Sequence, residues 1–225
     1  MDMETVNSMG FGEFVDVFGN VIEKCPLVAA AVWSQRPFFG SEDLEKHFFD
    51  FIDALSRSGQ EGILRCHPDL AGRDLQQGTL TAESLREQSQ AGFTSLDADD
   101  RLRLQQLNAQ YRERFGFPFV LAVRLSDRAA VSQELARRLR CQPESELRTA
   151  LGEVKKICHL RLADLLGAGP ARVELLRDWG SERQQDAPRR GLGAAHPSLE
   201  VGSGLEGQSS HPHKGSGELK QSHEQ

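Results

Sequence analysis

His67, Ser84, Glu87, Gln88 and Arg161 are the side chains of this 225-residue sequence whose types and spacing suit chemistry on a polar anion. His67 precedes Pro68, and a proline restricts the residue before it to extended geometry, so His67 stands on non-helical backbone. Its imidazole titrates near neutral pH and suits proton transfer. Downstream, Thr81 is placed to cap a helix on which Ser84, Glu87, Gln88 and Ala91 share one stripe. A hydroxyl, a carboxylate and an amide among small residues suit a polar ligand better than a core. Taken singly, His67 reads equally as a loop histidine capping a carbonyl, and Glu87 as an exposed helix glutamate.

A helix is expected after Pro143, its apolar stripe stepping through Leu147, Leu151, Val154, Cys158, Arg161 and Leu165. An arginine on such a face needs a carboxylate, because an unpaired buried charge costs several kcal/mol. Two readings stand. Arg161 is either half of an internal ion pair or a planar fork at a pocket floor, gripping a ligand carboxylate. Phe117-Pro118-Phe119 follows a Gly116 helix stop and forces an extended backbone with no evident ladder partner. Such a segment either presents N–H and C=O groups to a heteroaromatic ligand or simply packs. His47 and His159 read as core-edge histidines. Cys66 and His67, adjacent in extended chain, point to opposite faces and make no catalytic pair.

The elements that must position these residues read as helices. Phe11, Phe14, Val15, Phe18, Val21 and Ile22 form one stripe. Ser41 is placed to cap a second helix carrying Leu44, Phe48, Phe51, Ile52 and Leu55. Asp97 is placed to cap a third, with Leu104, Leu107, Tyr111 and Phe115 ending at Gly116. Only 117–123 looks strand-like, and one short run makes no sheet. The expected class is all-α: a helical domain over 1–175 and a disordered tail over 176–225, the composition changing near Trp179. A net charge of −6 argues against nucleic acid as a partner, and no apolar run is long enough for a membrane span. The acidic Met1-Asp2-Met3-Glu4 start carries no signal-peptide pattern, so secretion is not expected. Cys25, Cys66, Cys141 and Cys158 are scattered, forming neither a disulfide framework nor a zinc site. His196, His211, His213 and His223 fall in the tail without the partners a metal site needs.

These residues also carry a family resemblance. Asn7-Ser8-Met9, Arg36-Pro37-Phe38, His67-Pro68-Asp69-Leu70-Ala71-Gly72, Ser84 with Glu87-Gln88, Ala91-Gly92, Leu107-Asn108 with Tyr111, Phe115-Gly116-Phe117-Pro118-Phe119, and Glu153-Val154-Lys155-Lys156-Ile157 with Arg161-Leu162 occur in order. Together, over roughly 1–170, they resemble the OHCU decarboxylases, those of vertebrates above all. OHCU is 2-oxo-4-hydroxy-4-carboxy-5-ureidoimidazoline, an intermediate of urate breakdown. The resemblance implies a cofactor-free, metal-free, homodimeric helical enzyme that converts OHCU to (S)-allantoin and carbon dioxide. It implies catalytic roles for His67, Glu87 and Arg161. It also implies a substrate pocket lined by Pro68, by Ser84, Leu85, Arg86, Glu87 and Gln88, and by Phe119, Val120, Leu121, Ala122 and Val123. His67 is expected to transfer the proton, with Glu87 tuning or partnering it. The ring itself can delocalise the electrons left by carbon dioxide, so no cofactor sink is needed.

One departure accompanies the resemblance. Vertebrate members typically end near the position of Pro170-Ala171 with a peroxisomal tripeptide, whereas this chain continues to His223-Glu224-Gln225. The expected compartment is the peroxisome, with the cytosol as the alternative. The competing functional expectation is a catalytically inactive helical module that binds a ureide, a purine or another protein.

Overall fold

Caps and apolar spacing divide residues 1–167, the part described by the computed structural model, into ten α-helices. In chain order they are α1 (Met3–Ser8), α2 (Phe11–Phe18), α3 (Pro26–Trp33), α4 (Ser41–Ala54), α5 (Arg57–Arg65), α6 (Arg73–Gln77), α7 (Ala82–Gln90), α8 (Ala98–Phe115), α9 (Arg128–Arg138) and α10 (Pro143–Leu166). Single 3₁₀ turns lie at Phe93–Ser95 and Val123–Leu125. The class is all-α, with no β-strand among the described residues. None of the described helices is long and apolar enough to cross a membrane. The glycine- and serine-rich tail and its histidines lie outside the described residues.

The longest helix, α10, organises the core. Pro143 opens it, where a missing N–H costs nothing, and Gly167 closes it in the left-handed region at φ +72°. Leu147, Ala150, Leu151, Val154, Ile157, Cys158 and Leu162 are all buried along it. Helices α4 and α5 pack against it, α9 packs on α8, and α7 packs on the second 3₁₀ turn. Helix α4 contributes Leu44, Phe48 and Ile52, all fully buried, at the spacing that places one face inward. Capping follows the sequence at Thr81, whose side chain accepts from the Ser84 amide, and at Asp97, which accepts from Asp100. Gly116 stops α8 at φ +77°, as a left-handed cap should.

Three local expectations are revised. Ser41 is the first helical residue of α4, with Gly40 at the cap position. Helix α2 ends at Phe18, so Val21 and Ile22 reach the core from a turn rather than from the same stripe. The strand-like run expected at 117–123 makes no sheet, as foreseen, but it is not a strand either: Ala122 departs from extended geometry at ψ 81° and Val123 opens the second 3₁₀ turn, leaving an irregular strap. The Asn7-Ser8-Met9 and Arg36-Pro37-Phe38 segments are tied to one another by hydrogen bonds. Asn7 exchanges two hydrogen bonds with the Phe38 backbone, both 2.8 Å, as a peptide would in a ladder. Arg36 donates to the carbonyls of Asn7 (3.0 Å) and Met9 (2.8 Å), satisfying the end of α1.

Candidate active site

His67 sits just beyond the C-terminal end of α5, its amide donating to the Leu64 carbonyl at 3.1 Å. The turn that follows is pinned by side chains from two helices. Gln88 of α7 accepts the Ala71 amide at 3.0 Å, Asn108 of α8 donates to the Leu70 carbonyl at 3.0 Å, and Arg112 pairs with Asp69 at 2.9 Å. Ala71 takes a positive φ of 52°, and a Cβ on Gly72 would lie 2.7 Å from that of Asp69. The close packing of the turn therefore depends on glycine. With its carbonyl committed to Ala71, the amide group of Gln88 is oriented, leaving its N–H donors without a partner among the described residues.

Arg161 resolves as the hub of a buried ion triad. Its Nε and Nη2 grip Glu87 in a bidentate pair at 2.9 and 2.8 Å. Nη1 donates to Glu23 and to the Asn20 carbonyl, both at 2.8 Å, and Nη2 reaches the Ser84 hydroxyl at 3.3 Å. All five guanidinium N–H groups thus have partners inside the protein. Burial opposes the charge on Arg161, but the hydrogen bonds and charge of Glu87, with Glu23 behind it, raise its pKa above the ordinary arginine value. Glu23, fully buried, also accepts from Thr81 (2.8 Å) and Ser84 (2.9 Å), tying the start of α7 to the α2–α3 connection. Sequence reasoning missed Glu23. The available signal was Arg161 itself, whose unusual place demanded carboxylates from elsewhere.

One narrow cavity gathers most of the expected site. His67, Pro68, Ser84, Glu87, Gln88, Phe119, Val120, Leu121, Val123 and Arg161 line it, with Leu70 and Ile157. Three expected residues do not face it. Leu85 is 44% exposed on the outer side of α7. Arg86 pairs outward with Asp164 at 2.6 Å, and Ala122 turns its amide away to Glu153 at 2.9 Å. A second cavity behind Arg161 is bordered by Asn20, Glu83, Arg86 and Asp164, whose charges and amide pair among themselves. The first cavity is the one that His67 borders, and His67 Nε2 is buried without a hydrogen-bond partner among the described residues. His47 and His159 lie elsewhere, near Asp43 and Glu45 respectively.

Burial, and secondarily the charge of Arg161, push the His67 pKa down to about 3. The expected partnering with Glu87 is not seen, since both Glu87 oxygens are turned to Arg161. The imidazole is therefore neutral at rest throughout the physiological range. The ring resonances of His67 should keep neutral-imidazole shifts from pH 8 to pH 5 in an NMR titration of the free protein. A midpoint near 6.5, the ordinary histidine value, would show that burial does not control this group.

The fold and cavity define a helical domain with an enclosed polar site built from an uncharged histidine and a carboxylate–guanidinium triad. The chain belongs to the OHCU decarboxylase family, whose model matches residues 7–163. It is 86% identical over 177 residues to the mouse (Mus musculus) 2-oxo-4-hydroxy-4-carboxy-5-ureidoimidazoline decarboxylase, covering 78% of this chain and 99% of the mouse protein. It is 75% identical over 170 residues to that of Bos taurus, covering 76% of this chain and all of the bovine protein. Among solved structures, an (S)-allantoin synthase superposes with a TM-score of 0.59 at 25% identity, over 74% of this chain and 54% of that one. An OHCU decarboxylase crystallised with (S)-allantoin shares the fold at a TM-score of 0.52 and 21% identity, over 63% of this chain and 91% of that one.

Proposed function

We infer that this chain decarboxylates OHCU to (S)-allantoin and carbon dioxide in urate degradation, as a carboxy-lyase whose proton-transfer residue is His67. The observation that carries the role of His67 is a buried, neutral imidazole that borders the cavity and whose Nε2 has no partner among the described residues. Loss of carbon dioxide leaves an electron pair that the substrate ring delocalises as an enolate-like intermediate, which one proton must quench on one face. A neutral imidazole can accept a proton from the substrate hydroxyl and return it to carbon, so one ring serves both steps. General acid–base help of this kind is worth about 10²–10⁴-fold.

The remaining groups divide the anionic, urea-bearing substrate among them. Gln88 offers its free N–H donors, and Glu87 keeps spare lone pairs for ureido N–H groups. Arg161, its donors engaged by Glu87 and Glu23, holds Glu87 in place at the cavity and adds to burial in keeping His67 unprotonated. These groups accelerate the reaction to the extent that they hold the intermediate more tightly than the substrate. On family grounds, the working form is a homodimer located in the peroxisome. Sedimentation at micromolar concentration tests the first statement and imaging of the full chain tests the second.

The assay is stereochemical, because OHCU decays spontaneously to racemic allantoin. With OHCU generated in situ from urate by the upstream enzymes, rapid growth of an (S)-allantoin circular dichroism signal on adding this protein is expected. Racemic product at the background rate, from folded protein, would refute the activity.

A further inference from the structure

The 117–123 strap lines the cavity without belonging to a sheet, so no ladder sets the orientation of its peptide groups. Side chains do so instead. The Ala122 amide donates to Glu153 Oε2 at 2.9 Å, and the Val120 carbonyl accepts from Arg138 Nη1 at 2.8 Å. The Val120 carbonyl and the Leu121 N–H belong to one planar peptide group and point in opposite directions, while the Ala122 amide belongs to the next peptide, so the two contacts fix the peptides on either side of Leu121. The Leu121 N–H is thereby turned away from Arg138, and Leu121 itself lines the cavity.

We propose that Glu153 is a positioning residue for the reaction, fixing the strap so that the Leu121 N–H faces the substrate. The proposal rests on the reading of the cavity as the decarboxylation site. Glu153 is well placed for this task. It is 8% exposed on α10, and its other oxygen is held by Lys156 at 2.8 Å, which locks the carboxylate against the strap. Arg138 serves the same strap but is fully buried, bonded to Glu146 at 2.7 Å and stacked over Phe119 at 4.5 Å. Removing it strands Glu146 in the core, so its loss would report on folding rather than on positioning. Glu153 lies nearer the surface, and its N–H acceptor role can be removed or kept by choice of substitution.

The test compares Glu153→Leu with Glu153→Gln. Glutamine retains a carbonyl acceptor for the Ala122 amide, whereas leucine fills the space without one. The expected result is a kcat/KM lower by about 10- to 100-fold in the leucine variant, the effect of a displaced contact, with the glutamine variant within about threefold of wild type. Hydrogen exchange at the Ala122 amide should be slow in wild type and the glutamine variant and faster in the leucine variant. Should Glu153→Leu not fold, Glu153→Met keeps the stem, lacks the oxygen and carries the same comparison. Equal losses in the leucine and glutamine variants would overturn the proposal, as would a lowered Tm with unchanged kcat/KM. If wild type itself yields only racemic allantoin, the site reading fails separately. Calorimetric binding of (S)-allantoin and the Ala122 exchange rate then decide, and indifference of both to Glu153→Leu overturns the positioning role.

Discussion

His67→Ala is expected to lower the rate of (S)-allantoin formation by about 10²–10⁴-fold while leaving a folded protein, the range that general acid–base catalysis spans. The loss is chemical because the cavity is lined by no second imidazole, and the carboxylate that lines it, Glu87, is turned to Arg161. The fold survives because His67 Nε2 makes no hydrogen bond among the described residues, so its deletion breaks none there. A pH signature accompanies the loss. The folded pKa of about 3 lies below the unfolded value of 6.5, so between them the unfolded chain binds a proton that the folded chain does not. His67 thus leaves wild-type stability intact above pH 6.5 and erodes it as pH falls from 6.5 towards 3. The alanine variant lacks that component, so its Tm falls less steeply over the same interval. Stereospecific turnover that persists at the wild-type rate would remove His67 from the mechanism.

Arg161→Ala carries the largest expected effect on stability, about 3–5 kcal/mol, the usual cost of breaking a buried ion pair by removing one partner. The variant leaves Glu23 and Glu87, 0 and 7% exposed, as buried carboxylates without their shared cation. Burial and mutual repulsion then favour the neutral form of these stranded carboxyls. Folding must take up protons, so the deficit against wild type should be largest at neutral pH and shrink as pH falls towards 5. Chemical denaturation at pH 7 and pH 5 reads this directly. Adding Glu23→Gln and Glu87→Gln, with methionine at 161, should restore much of the stability by removing all three charges, without restoring turnover. A deficit independent of pH would mean that lost packing, not stranded charge, is the cause. Glu23 is as much a part of this device as Glu87, since one guanidinium is shared between them.

Much of this was legible because it is written in short-range patterns. Pro68 acts on its immediate neighbour His67. Thr81, Asp97, Gly116 and Pro143 act within one helical turn of where they stand, and the structure uses each as its residue type dictates. The stripe of Ser84, Glu87 and Gln88 follows from 3.6 residues per turn, and the same period places Leu85 and Arg86 outside the cavity although they interrupt that run. The oddity of Arg161 was visible too, as a charge on an apolar face. The identity of its partners was not. Glu23 lies 138 positions away in a turn with no period of its own, and only the packing of α7 and α10 around it makes it a core residue. The strap followed the same logic. Sequence foresaw that the short 117–123 run makes no sheet, but its peptide orientation depends on Glu153 and Arg138 from α10 and α9, brought close by tertiary packing. Helix and turn signals act through bonded neighbours and so survive in one dimension, whereas buried charges and an unladdered strap take their partners from whatever the folded core sets beside them.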